Sequence, residues 1–219
     1  MRISELSRRT AVPVGTIKFY VREGLLPPGT TTARNQAKYD TGHEERLRLI
    51  RIFVDIGGLT LSSIRAILAA IDDEHVPLND LCRIVHRAMH GERLVADALH
   101  AAVGHLADAR DTVDSYLESL GWVVAPDAPE RDIIASVLAI LRRLGWAGDE
   151  TVLGPYAQAA DELAAFEMAS VTARASRAET AVALVTRTVL LEVALVGLRR
   201  LAEEHHLSVH FRGSAPPNG

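Results

Sequence analysis

Apolar residues recur along most of this chain at helical spacing, and the breaks between the periodic stretches divide it into elements. Leu6 marks the inner face of a short helix that Ser4 caps and that ends near Thr10, because Val12-Pro13 cannot continue it. Val14, Ile17 and Val21 share one face of a second short helix, stopped by Gly24. Two short helices about a tight turn form a helix-turn-helix pattern. From Leu25 to Tyr39, turn residues lie between β-favouring ends and predict a small two-stranded wing. Thr41 opens a helix to about Ile56, with Leu47, Ile50 and Val54 inward. Gly57-Gly58 closes it, and Thr60 or Ser62 caps the next, which carries Leu61, Ile64, Ile67, Leu68 and Ile71. Residues 72–77 read as a linker.

A long helical pattern then runs from Leu78 to Leu120, with a possible break at Gly91. Leu99, Leu106, Val113 and Leu120 recur every seven residues with Val103 and Leu117 between them, which is the stripe of a coiled coil. Arg110 stands where another apolar residue is due, and a helix packed within its own domain would show the same stripe. Three further helical patterns follow, from about Glu130 to Leu144, Pro155 to Val171 and Ala178 to His205. The last is apolar over much of its circumference and reads as the central helix of a C-terminal bundle. The expected fold is mainly α: a winged helix-turn-helix over 1–75, a helical linker and dimerisation helix over 78–121, a helical domain over 126–212 and a disordered tail over 213–219.

Charge sharpens this division. The net charge is −4, yet residues 1–65 hold eleven basic and six acidic side chains, for +5, which leaves −9 on the remainder. The first part suits phosphate and the second repels it. No run reaches the roughly 18 to 20 apolar residues of a membrane span, and the first residues lack the pattern of a signal peptide, so a cytoplasmic, nucleoid-associated protein without a membrane partner is expected. Cys82 is the one cysteine, which excludes an internal disulfide and an all-cysteine zinc site. Nucleophile elbow, P-loop, dinucleotide fingerprint and metal-hydrolase pair are all missing, which argues against an enzyme.

Arg2 to Thr10 followed by Val12 to Leu26, then Tyr39-Asp40, Leu47 to Arg51 and Gly57 to Ile64, closely resemble the MerR family of regulators over roughly residues 1–71. On the physics alone, Thr16, Lys18 and Arg22 can point away from the buried face of the second helix into a major groove. The resemblance implies base or nearby contacts for Thr16 and Lys18 and a phosphate contact for Tyr20; in the wing, Arg34 and Lys38 would carry phosphate contacts, and Tyr39 completes the DNA-binding set. The chain departs from the family in having Ala37 where an arginine is usual and Pro13 in place of a hydroxyl residue. The resemblance also implies a homodimer on an inverted-repeat promoter operator, paired through an antiparallel coiled coil for which Leu99, Val103, Leu106, Val113, Leu117 and Leu120 are the candidates. RNA polymerase would share the promoter, and an effector would shift the regulator between two DNA-bending states.

No cofactor is expected. Cys82, His86 and His90 lie four residues apart on a helical pattern and form a weak metal-site candidate. A small organic effector fits the C-terminal bundle better, with Trp122, Trp146, Tyr156 and Phe166 as candidate pocket residues. The alternatives are a constitutive architectural or developmental regulator whose bundle binds a protein partner, and a metal or redox sensor.

Overall fold

The computed structural model describes residues 1–33, 36–90, 106–171 and 176–212. The expectations that fall on Arg34, Leu99, Val103, a break at Gly91 and the tail 213–219 lie outside these. Among the described residues the chain is mainly helical, with one antiparallel pair of short strands. It divides into two compact units, residues 1–85 with 181–219, and residues 86–180.

In the first unit, α1 (Ile3–Thr10) and α2 (Val14–Arg22) are joined by Ala11 in the left-handed region, φ 55°, and by Val12-Pro13. Ser4 lies inside the first turn of α1 rather than capping it; Arg2 stands at the cap without a side-chain bond. Strands β1 (Thr30–Ala33) and β2 (Gln36–Lys38) pair Thr30 with Lys38 and Thr31 with Ala37, forming the wing.

Helix α3 (Thr41–Arg51) is opened by Asp40, whose carboxylate accepts from the His43 N–H while His43 Nδ1 returns to the Asp40 backbone. The helix then widens into a π-helical turn, Ile52–Ile56, closed by a hydrogen bond from the Gly57 N–H to the Ile52 carbonyl at 3.0 Å. Periodicity predicts one continuous helix with Val54 inward; the π turn shifts the face, so that Phe53 is fully buried and Val54 half-buried. Helix α4 (Leu61–Asp72) is capped by Thr60, whose hydroxyl accepts from the Ser63 N–H. Leu6, Ile17, Leu47, Ile50, Phe53 and Ile64 are all at 0% exposure in the centre of this unit. Helix α5 (Leu78–His90) begins in it, with Leu81 and Val85 buried.

The second unit is built on α6 (Leu106–Ser119), α7 (Pro129–Arg143) and α8 (Glu150–Ala169). Ala109, Val113 and Leu117 of α6 pack against Ala135, Leu138 and Ala139 of α7. The heptad stripe in this region thus fills a core within the chain: Val113 is 1% and Leu117 8% exposed, and Leu106 is packed at the edge of the same cluster. Arg110, the break in the stripe, has a role of its own. Its guanidinium pairs with Asp114 at 3.2 Å and with Asp132 of α7, and donates to the Pro126 carbonyl at 2.8 Å. Arg131 joins Asp114 from the other side and donates to the carbonyls of Val124 and Ala125, so two arginines brace the loop between α6 and α7. Helix α8 starts five residues before the expected Pro155, because Asp149 caps it through the Thr151 N–H.

Helix α9 (Arg177–Arg212) is 36 residues long. Its residues from 181 onward group with the first unit, where Ala181, Leu184, Val185 and Val189 are buried. Farther along, Val193, Leu195, Leu198 and Leu201 are between 42% and 65% exposed, so this stretch differs from the expected centre of a C-terminal bundle. The stretch Arg177–His210 is also long and apolar enough to cross a membrane by length and composition, contrary to the expectation that no such run exists, although Arg187 and Glu192 interrupt it.

Candidate nucleic-acid interface

Helix α2 is held in place from behind. Ile17 is fully buried and Tyr20 is 7% exposed. Burial, followed by the nearby Asp55 carboxylate, pushes the Tyr20 hydroxyl pKa above its ordinary value, with Arg51 acting in the opposite sense. On a helix, Lys18 and Arg22 lie roughly 100° and 140° around from Ile17, on the outward face. Both are exposed, and Thr16 is half-buried beside them. The Arg22 guanidinium lies 5.2 Å from the centre of the Phe19 ring and 3.4 Å from Glu23, which stiffens it along the last turn. At the other end, Pro13 offers no side-chain acceptor, so the first N–H groups of α2 keep their donor capacity toward an anion.

The C-terminal end of α2 would present unpaired carbonyls, and two arginines from other helices take up those just beyond it. Arg65 of α4 donates from Nε to the Glu23 carbonyl at 3.1 Å. Arg46 of α3 donates from Nε to the Leu25 carbonyl at 3.0 Å while its two terminal nitrogens grip Asp72 at 2.6 and 2.7 Å. Gly24, at φ +72°, makes the turn between these carbonyls without steric strain.

These contacts change how the charge of the N-terminal segment is used. Arg46, Arg48, Arg51 and Arg65 contribute to the excess of +5, yet each is paired with an acidic group: Arg46 with Asp72, Arg48 with Glu44, Arg51 with Asp55 at 2.8 Å and Arg65 with Glu23. Arg9 pairs with the same Glu44 at 2.7 Å. Sequence reasoning missed Glu44, whose side chain is only 4% exposed. Its place three residues before the core residue Leu47 was the available signal.

In the wing, Lys38 is exposed and Tyr39 is 9% exposed. The Tyr39 ring packs edge-on against His43, with centroids 5.1 Å apart, and its N–H donates to the Met1 carbonyl at 2.9 Å, so Tyr39 ties the wing exit to the body of the unit. Gly29 is required there: a Cβ would lie 2.8 Å from the Lys38 carbonyl oxygen and 3.1 Å from the Tyr39 ring.

Away from this face, the candidate effector residues separate. Trp122 and Tyr156 line an apolar cavity of about 310 Å³ in the second unit. Trp146 and Phe166 are not among its walls and are 67% and 69% exposed. Leu120, expected in the dimer seam, is 37% exposed and lines the same cavity. Cys82 is half-buried, and burial pushes its thiol pKa above the ordinary value, away from the thiolate that metal binding or oxidant sensing needs. Among the described residues, groups of three His, Cys, Asp or Glu placed to hold a metal ion are absent; the His90 side chain lies outside them.

A buried helix pair, a two-stranded wing and an exposed basic helix face together define a winged helix-turn-helix DNA-binding regulator. Residues 1–71 match the MerR HTH family regulatory protein model. The chain is 30% identical to SCO5550 of Streptomyces coelicolor A3(2), a proposed transcriptional regulator whose crystal structure it matches over 96% of its own length and 98% of that chain, with a TM-score of 0.68. It is also 30% identical over 80 residues to the mercuric resistance operon regulatory protein of Bacillus cereus; that match covers 36% of this chain and 60% of the relative. The lead(II) complex of the transcription regulator PbrR691 from Ralstonia metallidurans CH34 is 31% identical over 51% of this chain and 86% of that one, with a TM-score of 0.39. The chain belongs to the MerR family and is a transcriptional regulator.

Proposed function

We propose that this regulator binds an inverted-repeat promoter operator as a homodimer, placing α2 of each copy in a major groove. The observation that carries this reading is the outward face of α2, where Lys18 and Arg22 are exposed while Arg46 and Arg65 fix the chain just behind the helix. A helix fixed before binding presents its outward donors in one register to the base edges, which lowers the ordering cost of recognition. Lys38 supplies phosphate contacts that set register, a role the sequence also gives to Arg34. Bending and untwisting of the DNA would then govern access by RNA polymerase in the cytoplasm, at the nucleoid. Of the residues first assigned to the dimer seam, Val113 and Leu117 are consumed by the core of their own chain; Leu99 and Val103 are the ones we retain for contact with the second copy.

An organic effector is the switch we favour, on the strength of the cavity lined by Trp122 and Tyr156. The alternative, a constitutive regulator whose C-terminal part binds a protein, draws on the exposed Leu195, Leu198 and Leu201 of α9.

Selection of bound DNA fragments followed by footprinting tests the operator reading. An inverted repeat protected on both half-sites is expected, with Lys18→Ala weakening operator binding by roughly 1–3 kcal/mol and leaving nonspecific binding much less affected. Binding indifferent to sequence, or equal losses for operator and random DNA, would overturn it.

A further inference from the structure

The cavity of the second unit is defined by three apolar stripes that converge without closing. Helix α6 supplies Val113, Leu117 and Leu120 at i, i+4 and i+7, and α8 supplies Leu153, Ala157 and Ala160 at the same spacing. Ile134 and Val137 of α7 form the third side, and the aromatic rings of Tyr116, Trp122 and Tyr156 complete the wall. Helix α8 is apolar over much of its length, yet none of its twenty residues is buried. A space of about 310 Å³ lies between it and the α6–α7 pair.

Protein interiors otherwise pack like organic crystals, so an opening of this size between apolar stripes leaves carbon surface that a ligand of complementary shape would cover. Water is a poor one, because the wall is almost entirely carbon and a water molecule needs two to four polar partners. A charged molecule is a poor one as well. Arg110, Asp114, Arg131 and Asp132 are not lining residues and are paired with one another, so an ion entering the cavity would lose its hydration without gaining a partner. An apolar cavity of about 150 Å³ accommodates benzene. Twice that volume suits two or three rings, and flat aromatic walls favour flat ligands.

We propose that this cavity binds a neutral, largely aromatic molecule of two to three rings, which seats α8 on the α6–α7 pair. The proposal deepens the effector reading above and rests on it only for the consequence at DNA; binding is measured without DNA.

The test uses the full-length protein and N-phenyl-1-naphthylamine, a neutral fluorescent compound of this size, beside 1-anilinonaphthalene-8-sulfonate, which adds one negative charge to the same ring system. Saturable binding of the neutral dye, one per chain and at least about tenfold tighter than the sulfonate, is expected. Ala157→Phe fills the space and should weaken the neutral dye by about tenfold or more while the melting temperature is unchanged or raised. Leu120→Glu, at a rim position that is 37% exposed and so tolerant of charge, should weaken it as well and decides the matter if the first variant does not fold. Failure of the unmodified protein to bind the neutral dye, equal affinity for the two dyes, or undiminished binding by a folded variant would overturn the proposal. Operator footprinting of the same samples separates the two readings. Operator binding without dye binding removes this inference alone, and dye binding without operator recognition removes the operator reading alone.

Discussion

The Glu44 carboxylate lies 2.7 Å from Arg9 Nε and bridges α1 to α3, with Arg48 of its own helix on the second oxygen. Its side chain is 4% exposed, whereas Arg9 is 47% exposed and Arg48 61%. The cost of dehydrating Glu44 is therefore offset by one charge-assisted hydrogen bond, from Arg48, and by the ion pair with Arg9, both partners remaining partly in water. Glu44→Ala removes both and should destabilise the first unit by about 1.5–3 kcal/mol. Urea unfolding monitored by circular dichroism measures this, and a loss within ±0.5 kcal/mol would show that the bridge is incidental.

Gly57 closes the π turn beneath α9. A Cβ there would stand 2.8 Å from Val189 Cγ1 and 2.9 Å from the Phe53 carbonyl oxygen, and the backbone oxygen cannot give way. Gly57→Ala should destabilise the protein by about 1–3 kcal/mol through overpacking. Combining it with Val189→Ala should recover part of that loss in a double-mutant cycle, and strictly additive losses would show that Val189 does not take part.

Acid should unfold the second unit partly through Asp114. Burial by itself pushes this carboxyl up, but hydrogen bonds from Arg131 and Arg110 outweigh that and hold it below its ordinary value. The folded-state pKa is thus below the unfolded value of about 3.9. Its stabilisation is fully present above that unfolded value and is lost as pH falls through the folded one. Asp114→Asn should lower stability at neutral pH and flatten the decline below about pH 4. Parallel acid limbs for the two proteins would refute the assignment.

Cys82 should be a slow thiol. With its pKa raised by burial, little thiolate exists at neutral pH, and the thiolate is the form that reacts. Alkylation by iodoacetamide at pH 7.5 is expected to lag well behind that of free cysteine, and mild peroxide should leave DNA binding intact in wild type and Cys82→Ser alike. Peroxide sensitivity abolished by Cys82→Ser would restore the redox reading.

The short-range elements were legible in the chain itself. The turn at Val12-Pro13, the stop at Gly24, the Thr60 cap and the wing between Thr30 and Lys38 depend on contacts within a few residues, which spacing and residue type report directly. On α2, Ile17 is buried and Lys18 and Arg22 are exposed as the helical period places them, whereas Val14 and Val21 are half-buried and Tyr20, expected at a phosphate, takes the inner position at 7% exposure. Boundaries that depended on a competing local signal came out differently: Ser4 lies within a turn it was expected to cap, and Asp149 outranks Pro155 as the start of α8.

Only the tertiary structure decided which partner each face meets. Periodicity places Val113 and Leu117 on a stripe but is silent on whether a second copy or α7 covers it; α7 does. It marks Val185 and Val189 as apolar without revealing that they pack in the unit of the N-terminal helices, about a hundred residues or more away in sequence. Composition counts Arg46 and Arg65 as charge for DNA, whereas their Nε groups serve the carbonyls of Leu25 and Glu23, 21 and 42 residues away. The physical reason is common to all three. A side chain's direction is set by its own backbone, but its contact is set by whatever surface the rest of the chain brings to it.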